Sequence, residues 1–184
     1  MKTTLELYGA QSGNSIRAAI ALEEAGLAYT PKFVDLSSGE QRSASHLALN
    51  PAGKVPVLVE KEEGQEPFIL TQSNAIILYA ADKAPGRLMP ENDRDRVIAI
   101  ERLFFFVTDV IAVSHAAFSL RDVPTAQEGQ RVLMDRVFAT LETAEIYVSR
   151  NEFMAGKTFS AADIAAFTIG QSVKSDLAWP KLPN

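Results

Sequence analysis

The sequence contains no cysteine. That excludes disulfides, thiolate metal sites, CxxC redox chemistry and a protein-borne thiol nucleophile. Histidine is scarce: His46 and His115 are the two present, and their spacing matches no metal site. Basic charge is not in excess, since 18 Lys and Arg face 23 Asp and Glu for a net charge of -5. Without a basic cluster, a nucleic-acid partner is not expected. No apolar run approaches the roughly 18–20 residues that span a bilayer, so no membrane association is expected. The opening Met1-Lys2-Thr3-Thr4 leads directly into a strand pattern, so no secretory leader is read there and a cytoplasmic location is expected. Any thiol chemistry must come from a bound ligand, and no metal is implied.

What is present is an ordinary folded composition, 47% hydrophobic and 22% charged over 184 residues, enough for one large domain or two small ones. The most informative stretch is Asn50-Pro51-Ala52-Gly53-Lys54-Val55-Pro56-Val57-Leu58. Its first half is turn chemistry. Its second half opens a short apolar strand at Val57. Pro56 lacks the N–H of a central strand and belongs at a strand start, edge or bulge. The Val55–Pro56 bond is a candidate for the cis form. A cis bond would turn the Val55 N–H and C=O away from the sheet, where an extended peptide can pair with them. The plain alternative is a loop entering a strand.

Leu5 to Tyr8 alternates and reads as a strand. Gly9 to Ser15 is a loop, and Ile16 to Ala25 a helix capped by Ser15 or Asn14. Tyr29 to Leu36 reads as a second strand, and Ser37 to Leu49 as loop plus a short helix, with His46 in the loop. Val57 to Glu60 and Phe68 to Leu70 form a hairpin. Asn74 to Ala81 reads as a helix capped by Ser73. After Pro90 the strand signal ends. Asn92 to about Ser119 reads as one long helix and Ala126 to Ser149 as another. Ser160 and Asp163, three apart, form a capping box that starts a third. The expected fold class is therefore α/β plus all-α: βαβ-ββα over residues 1–82, a linker at 83–90, and a helical bundle over 91–184.

Gln72-Ser73-Asn74-Ala75-Ile76 opens a helix whose unpaired N–H groups and partial positive charge favour a carboxylate. Ser73 either serves that ligand or merely caps its helix. Together with Val55 and the loop at Ser12, this describes an extended anionic peptide with a thiol in its middle.

In the Asn50–Leu58 run, the Gln72–Ile76 segment with the Leu78-Tyr79 that follows, and the Phe159–Ile164 capping box, the chain resembles the glutathione transferases. The resemblance implies a thioredoxin-like N-terminal domain, a helical C-terminal domain and a homodimer. It implies a cis bond at Pro56, with Val55 pairing to the cysteinyl backbone of glutathione. Gln72 and Ser73 would hold the γ-glutamyl end, with glutamine where the family has an acid, and Lys54 would sit near the glycyl carboxylate. The family activates the glutathione thiol by donating a hydrogen bond to its thiolate. Such a bond is worth about 1.5–3 kcal/mol, and at about 1.36 kcal/mol per unit it lowers the thiol pKa by roughly one to two units.

The donor expected here is Ser12, with Tyr8 and Asn14 as alternatives. The co-substrate would be a small hydrophobic electrophile, held between the domains with Phe105 and Asp109, four apart on the long helix, facing it. The implied activity is detoxifying conjugation. The alternatives are a non-catalytic glutathione-binding protein of the same fold and a glutathione-dependent peroxidase or disulfide reductase. Family members usually continue with a further helix beyond a segment like Trp179–Asn184, so a shortened chain is expected to have a less enclosed electrophile site.

Overall fold

The computed structural model describes residues 3–177 and 181–182. The chain divides into two compact units, Met1–Leu88 and Met89–Asn184. The first carries β1 (Thr3–Gly9), α1 (Gly13–Glu24), β2 (Thr30–Phe33), a 3₁₀ turn at Glu40–Arg42, α2 (Ala44–Leu49), β3 (Val57–Glu62), β4 (Phe68–Thr71) and α3 (Ser73–Lys83). The strand order is β2-β1-β3-β4. β1 pairs parallel with β2 and antiparallel with β3, and β3 pairs antiparallel with β4. This is the mixed sheet of a thioredoxin-like domain.

Alternation in β1 decides which face is which. Leu5 and Leu7 are buried, and Leu7 shares a groove with Ile16 and Ala19 of α1. The register puts Leu58 opposite Leu7 and Glu60 opposite Leu5. Glu60 accepts a hydrogen bond from Tyr79 of α3 at 3.0 Å, so α1 and α3 cover this face. Ala18, Ala21, Leu22, Ile76, Ile77 and Ala80 fill the space beneath them. Glu6 and Tyr8 lie on the opposite face.

Two expectations change here. The second strand is shorter than Tyr29–Leu36. The Asp35 carboxylate accepts from the Ser37 N–H at 2.9 Å and the Ser37 hydroxyl at 2.6 Å, and this turn draws the chain out of the sheet. The first helix begins earlier than its apolar period suggests. Ser12, with extended φ and ψ, is the N-cap in place of Ser15 or Asn14, because the polar first turn Gly13–Ser15 has no apolar signal to mark it.

The second unit carries α4 (Asp93–Phe104), a π-helical segment (Phe105–Ile111), α5 (Ala112–Leu120), a 3₁₀ turn (Pro124–Ala126), α6 (Gln127–Val148) and α7 (Ala161–Val173). The single long helix expected from Asn92 is thus interrupted by wide winding that begins at Phe105, within its three consecutive phenylalanines, and runs to Ile111. Phe106 enters the core, Phe105 stacks edge-on against Phe106 and Tyr147, and Phe104 stays exposed. The Thr108 hydroxyl donates to the Phe104 carbonyl at 2.9 Å where the winding changes. The capping box at α7 is present. Asp163 accepts from the Ser160 N–H, the Ser160 hydroxyl and the Met154 N–H, each at 2.8 Å.

Phe106 is 1% exposed and is the largest fully buried side chain among the described residues. Phe106→Ala is expected to destabilise the protein by about 3–5 kcal/mol. Urea or guanidinium unfolding followed by helical circular dichroism measures this; a loss under about 1 kcal/mol would contradict the core assignment.

Candidate functional site

Strand register assembles the site. Tyr8 is paired with Val57, and Val57 with Thr71. The segments that follow β1, precede β3 and follow β4 therefore leave the sheet at one end. They carry Ser12, Val55 with Pro56, and Gln72 with Ser73.

The first segment is a tight loop. The Ser12 N–H donates to the Ala10 carbonyl at 2.8 Å. The Ser12 hydroxyl accepts from the Ser15 N–H at 3.4 Å and donates to Ser15 Oγ at 3.0 Å. Ser15 Oγ also accepts from the Ala10 N–H at 3.1 Å. A side chain at Gly9 would press on Ser15, with its Cβ 3.2 Å from the Ser15 Cβ. Beside the loop lies a groove of about 260 Å3 lined by Gln11, Ser15, Ile16, Ala19, Tyr29 and Phe33, among others.

The second segment is held from behind. Asn50 Nδ2 donates to the Lys54 carbonyl at 2.8 Å, and His46 Nε2 lies 3.1 Å from the same oxygen. Asn50 also accepts the Ala52 N–H through its side chain at 3.1 Å. Both residues are buried. His46 sits in α2 and not in a loop, and its spacing of four from Asn50 brings both side chains to one carbonyl. Gly53, at φ 60, lies so close to Arg42 and to the Gln41 carbonyl that a Cβ would meet them at 2.8 and 3.0 Å. The Val55–Pro56 bond is cis. Among the described residues no backbone hydrogen bond outside the regular elements involves Val55, and the Lys54 side chain is exposed.

The third segment corrects the expected cap. Gln72 holds the N-cap position of α3, with φ 70 and ψ 109 and no side-chain cap bond. Ser73 is the first helical residue, and its hydroxyl turns inward to accept from Arg17 Nη1 at 3.1 Å. The same Nη1 donates to Asn14 Oδ1 at 2.7 Å. Arg17 is 2% exposed, and burial lowers its pKa to about 10, so it remains charged at neutral pH. It was missed in the sequence, where it reads as one more polar residue on a helix. A cation inside the apolar run Ile16–Leu22 was the available signal. Because Ser73 Oγ and Asn14 Oδ1 both accept from Arg17, the Ser73 O–H and the Asn14 amide N–H remain as donors.

Tyr8 is engaged elsewhere. Its hydroxyl donates to Glu6 Oε2 at 3.0 Å on the face away from α1 and α3. Lys61 pairs with the same carboxylate at 2.8 Å and Lys32 approaches it at 3.8 Å. The Lys61 hydrogen bond leads in lowering the Glu6 pKa. Burial, then the bond to Glu6, raises that of Tyr8, so the phenol stays neutral. Phe105 and Asp109 have different surroundings: Phe105 lies against Phe106 and Tyr147, while exposed Asp109 accepts from Thr108 Oγ1 at 3.0 Å. Among the described residues no cluster of three His, Asp or Glu suited to a metal is present, and no helix is long and apolar enough to cross a membrane.

Two variants test this arrangement. Arg17→Met keeps bulk but leaves Ser73 and Asn14 short of a donor, and is expected to cost about 1–3 kcal/mol of stability in urea unfolding. Glu6 titrates below its unfolded value, so its contribution is present above about pH 4.3 and is lost as pH falls through the folded pKa. Glu6→Gln should thus be less stable than the parent at pH 7, by about 1 kcal/mol or less for a solvent-screened pair, with the difference shrinking in unfolding curves taken at progressively more acid pH.

The family described as "Glutathione S-transferase, N-terminal domain" matches residues 3–82. The chain is 30% identical to the disulfide-bond oxidoreductase YfcG of Escherichia coli, over 89% of this chain and 77% of that protein. It is 30% identical to the maleylacetoacetate isomerase maiA of Aspergillus fumigatus, over 94% of this chain and 71% of that one. A crystal structure of a glutathione transferase from Burkholderia graminis, with two glutathione molecules bound per subunit, superposes with a TM-score of 0.84 at 25% identity, covering 98% of this chain and 79% of that one. In sequence, sheet order and helical architecture, the chain belongs to the glutathione S-transferase family.

Proposed function

We propose that this protein binds glutathione at the end of the sheet described above and transfers its thiolate to small apolar electrophiles. The observation that carries the reading is the Ser12 hydroxyl at the N-terminus of α1, in the loop beside Val55. A thiolate there gains a charge-assisted hydrogen bond and the partial positive charge of the helix end. Val55 would pair with the cysteinyl backbone. Ser73, oriented by Arg17, and the side chain of Gln72 would take the γ-glutamyl carboxylate. Lys54 would face the glycyl carboxylate, and Asn14 would add a second donor near the sulfur. Ser12 is preferred over Tyr8 because the Tyr8 hydroxyl donates to the Glu6 carboxylate on the other face of the sheet, an acceptor that cannot donate in return, whereas the Ser12 partner is a second hydroxyl that can.

The groove beside the Ser12 loop, with Ile16, Ala19 and Phe33, supports an apolar electrophile. Exposed Phe68, Ile69 and Leu78 in the first unit, and Val97, Ile98 and Phe104 in the second, support a homodimer, since apolar surface of this kind is covered in assemblies. A second reading, glutathione-dependent disulfide reduction, is favoured by the likeness to YfcG. With no cysteine in the chain, bound thiolate would attack the substrate disulfide, and a second glutathione would release glutathione disulfide and the reduced product.

The test is a pH titration of bound glutathione's thiolate absorbance. Ser12→Ala is expected to raise the midpoint by roughly one to two units, while Tyr8→Phe leaves it in place. A midpoint indifferent to Ser12→Ala would reject the assignment. Turnover of apolar aryl halides against mixed disulfides separates the two reactions.

A further inference from the structure

We infer that Ser15 is a positioning residue for thiolate formation, acting through Ser12 as a two-hydroxyl relay; this rests on the Ser12 reading above. Ser15 is 5% exposed. It is the third residue of α1, where capping requires its backbone N–H alone. Its hydroxyl is surplus to the helix, yet it is held at two points, accepting from the Ala10 N–H at 3.1 Å and meeting Ser12 Oγ at 3.0 Å. Gly9 leaves the room it occupies.

A hydroxyl has one proton and two lone pairs. In this structure the Ser12 proton is directed at Ser15 Oγ, and in that direction it serves no ligand. Rotating both O–H bonds reverses the contact without moving a heavy atom. Ser15 then donates to Ser12 Oγ and keeps the Ala10 N–H on its own oxygen. Ser12 accepts from the Ser15 N–H and O–H, so both of its lone pairs are used, and its proton faces the sulfur. No proton is transferred between oxygens; only the donor order changes. Hydrogen bonds in such a chain polarise one another, so Ser12 becomes a stronger donor to a thiolate than an isolated serine. Asn14 and Arg17 add donors on the same turn, but Arg17 is directed at Asn14 and Ser73, which leaves the Ser12–Ser15 pair as the hydroxyl route.

The experiment extends the thiolate titration to a double-mutant cycle, with glutathione affinity measured by calorimetry on each variant. Ser15→Ala is expected to raise the midpoint by about half a pH unit, a minor share of the Ser12→Ala shift. Combined with Ser12→Ala it should add nothing, because a residue acting through Ser12 has no effect in its absence. Ser15→Thr should restore the parent midpoint, whereas Ser15→Val, of matching shape without the hydroxyl, should behave like Ser15→Ala and replaces it if Ser15→Ala is poorly folded. A midpoint that stays or falls in both hydroxyl-free variants, or a shift that persists in the Ser12→Ala background, overturns the relay while leaving Ser12 intact. No shift in Ser12→Ala itself overturns the Ser12 reading and the relay together, a distinguishable result.

Discussion

A buried guanidinium organises the first unit. Arg17 sits on α1 with almost no exposure, and its Nη1 joins Asn14 at the start of that helix to Ser73 at the start of α3. Desolvating a cation is expensive unless its N–H groups are matched. The fold therefore cannot let the two helix starts drift apart without exposing or orphaning that charge. The same bonds settle the polarity of the surface they support. With their oxygens accepting from Arg17, Ser73 and Asn14 keep an O–H and an amide N–H as donors.

The other half of the site is fixed through a carbonyl. His46 and Asn50 both converge on the Lys54 oxygen, which holds the chain rigidly just before Val55. With that oxygen occupied from behind and Gly53 packed against Arg42, the loop presents the Val55 backbone as an unpaired edge. Strand pairing then brings this edge level with Ser12 and Ser73. Preorganisation of this kind reduces the conformational entropy that an extended ligand would have to surrender there.

Sequence reasoning found the elements whose signals are local. Turn residues and the apolar triplet Val57–Val59 marked the central loop and strand, and Ser160 with Asp163 marked the last helix. It failed where a residue's role depends on a distant partner. Arg17 has meaning only once α3 arrives, His46 only once the Lys54 carbonyl lies beside it, and Tyr8 only once β3 brings Lys61 to pair with its partner Glu6. The π-helical turn was hidden for a different reason. Periodicity is averaged over a window, and the seven-residue segment Phe105–Ile111 is shorter than that window.

Gln72 is the non-glycine residue with positive φ among those described. Held there, a residue with a Cβ carries about 1–3 kcal/mol of conformational strain, which glycine in the same place would not. A chain shaped for endurance alone would place glycine at that bend. If the proposed anion site is real, the amide side chain held there is a spot where durability is exchanged for grip.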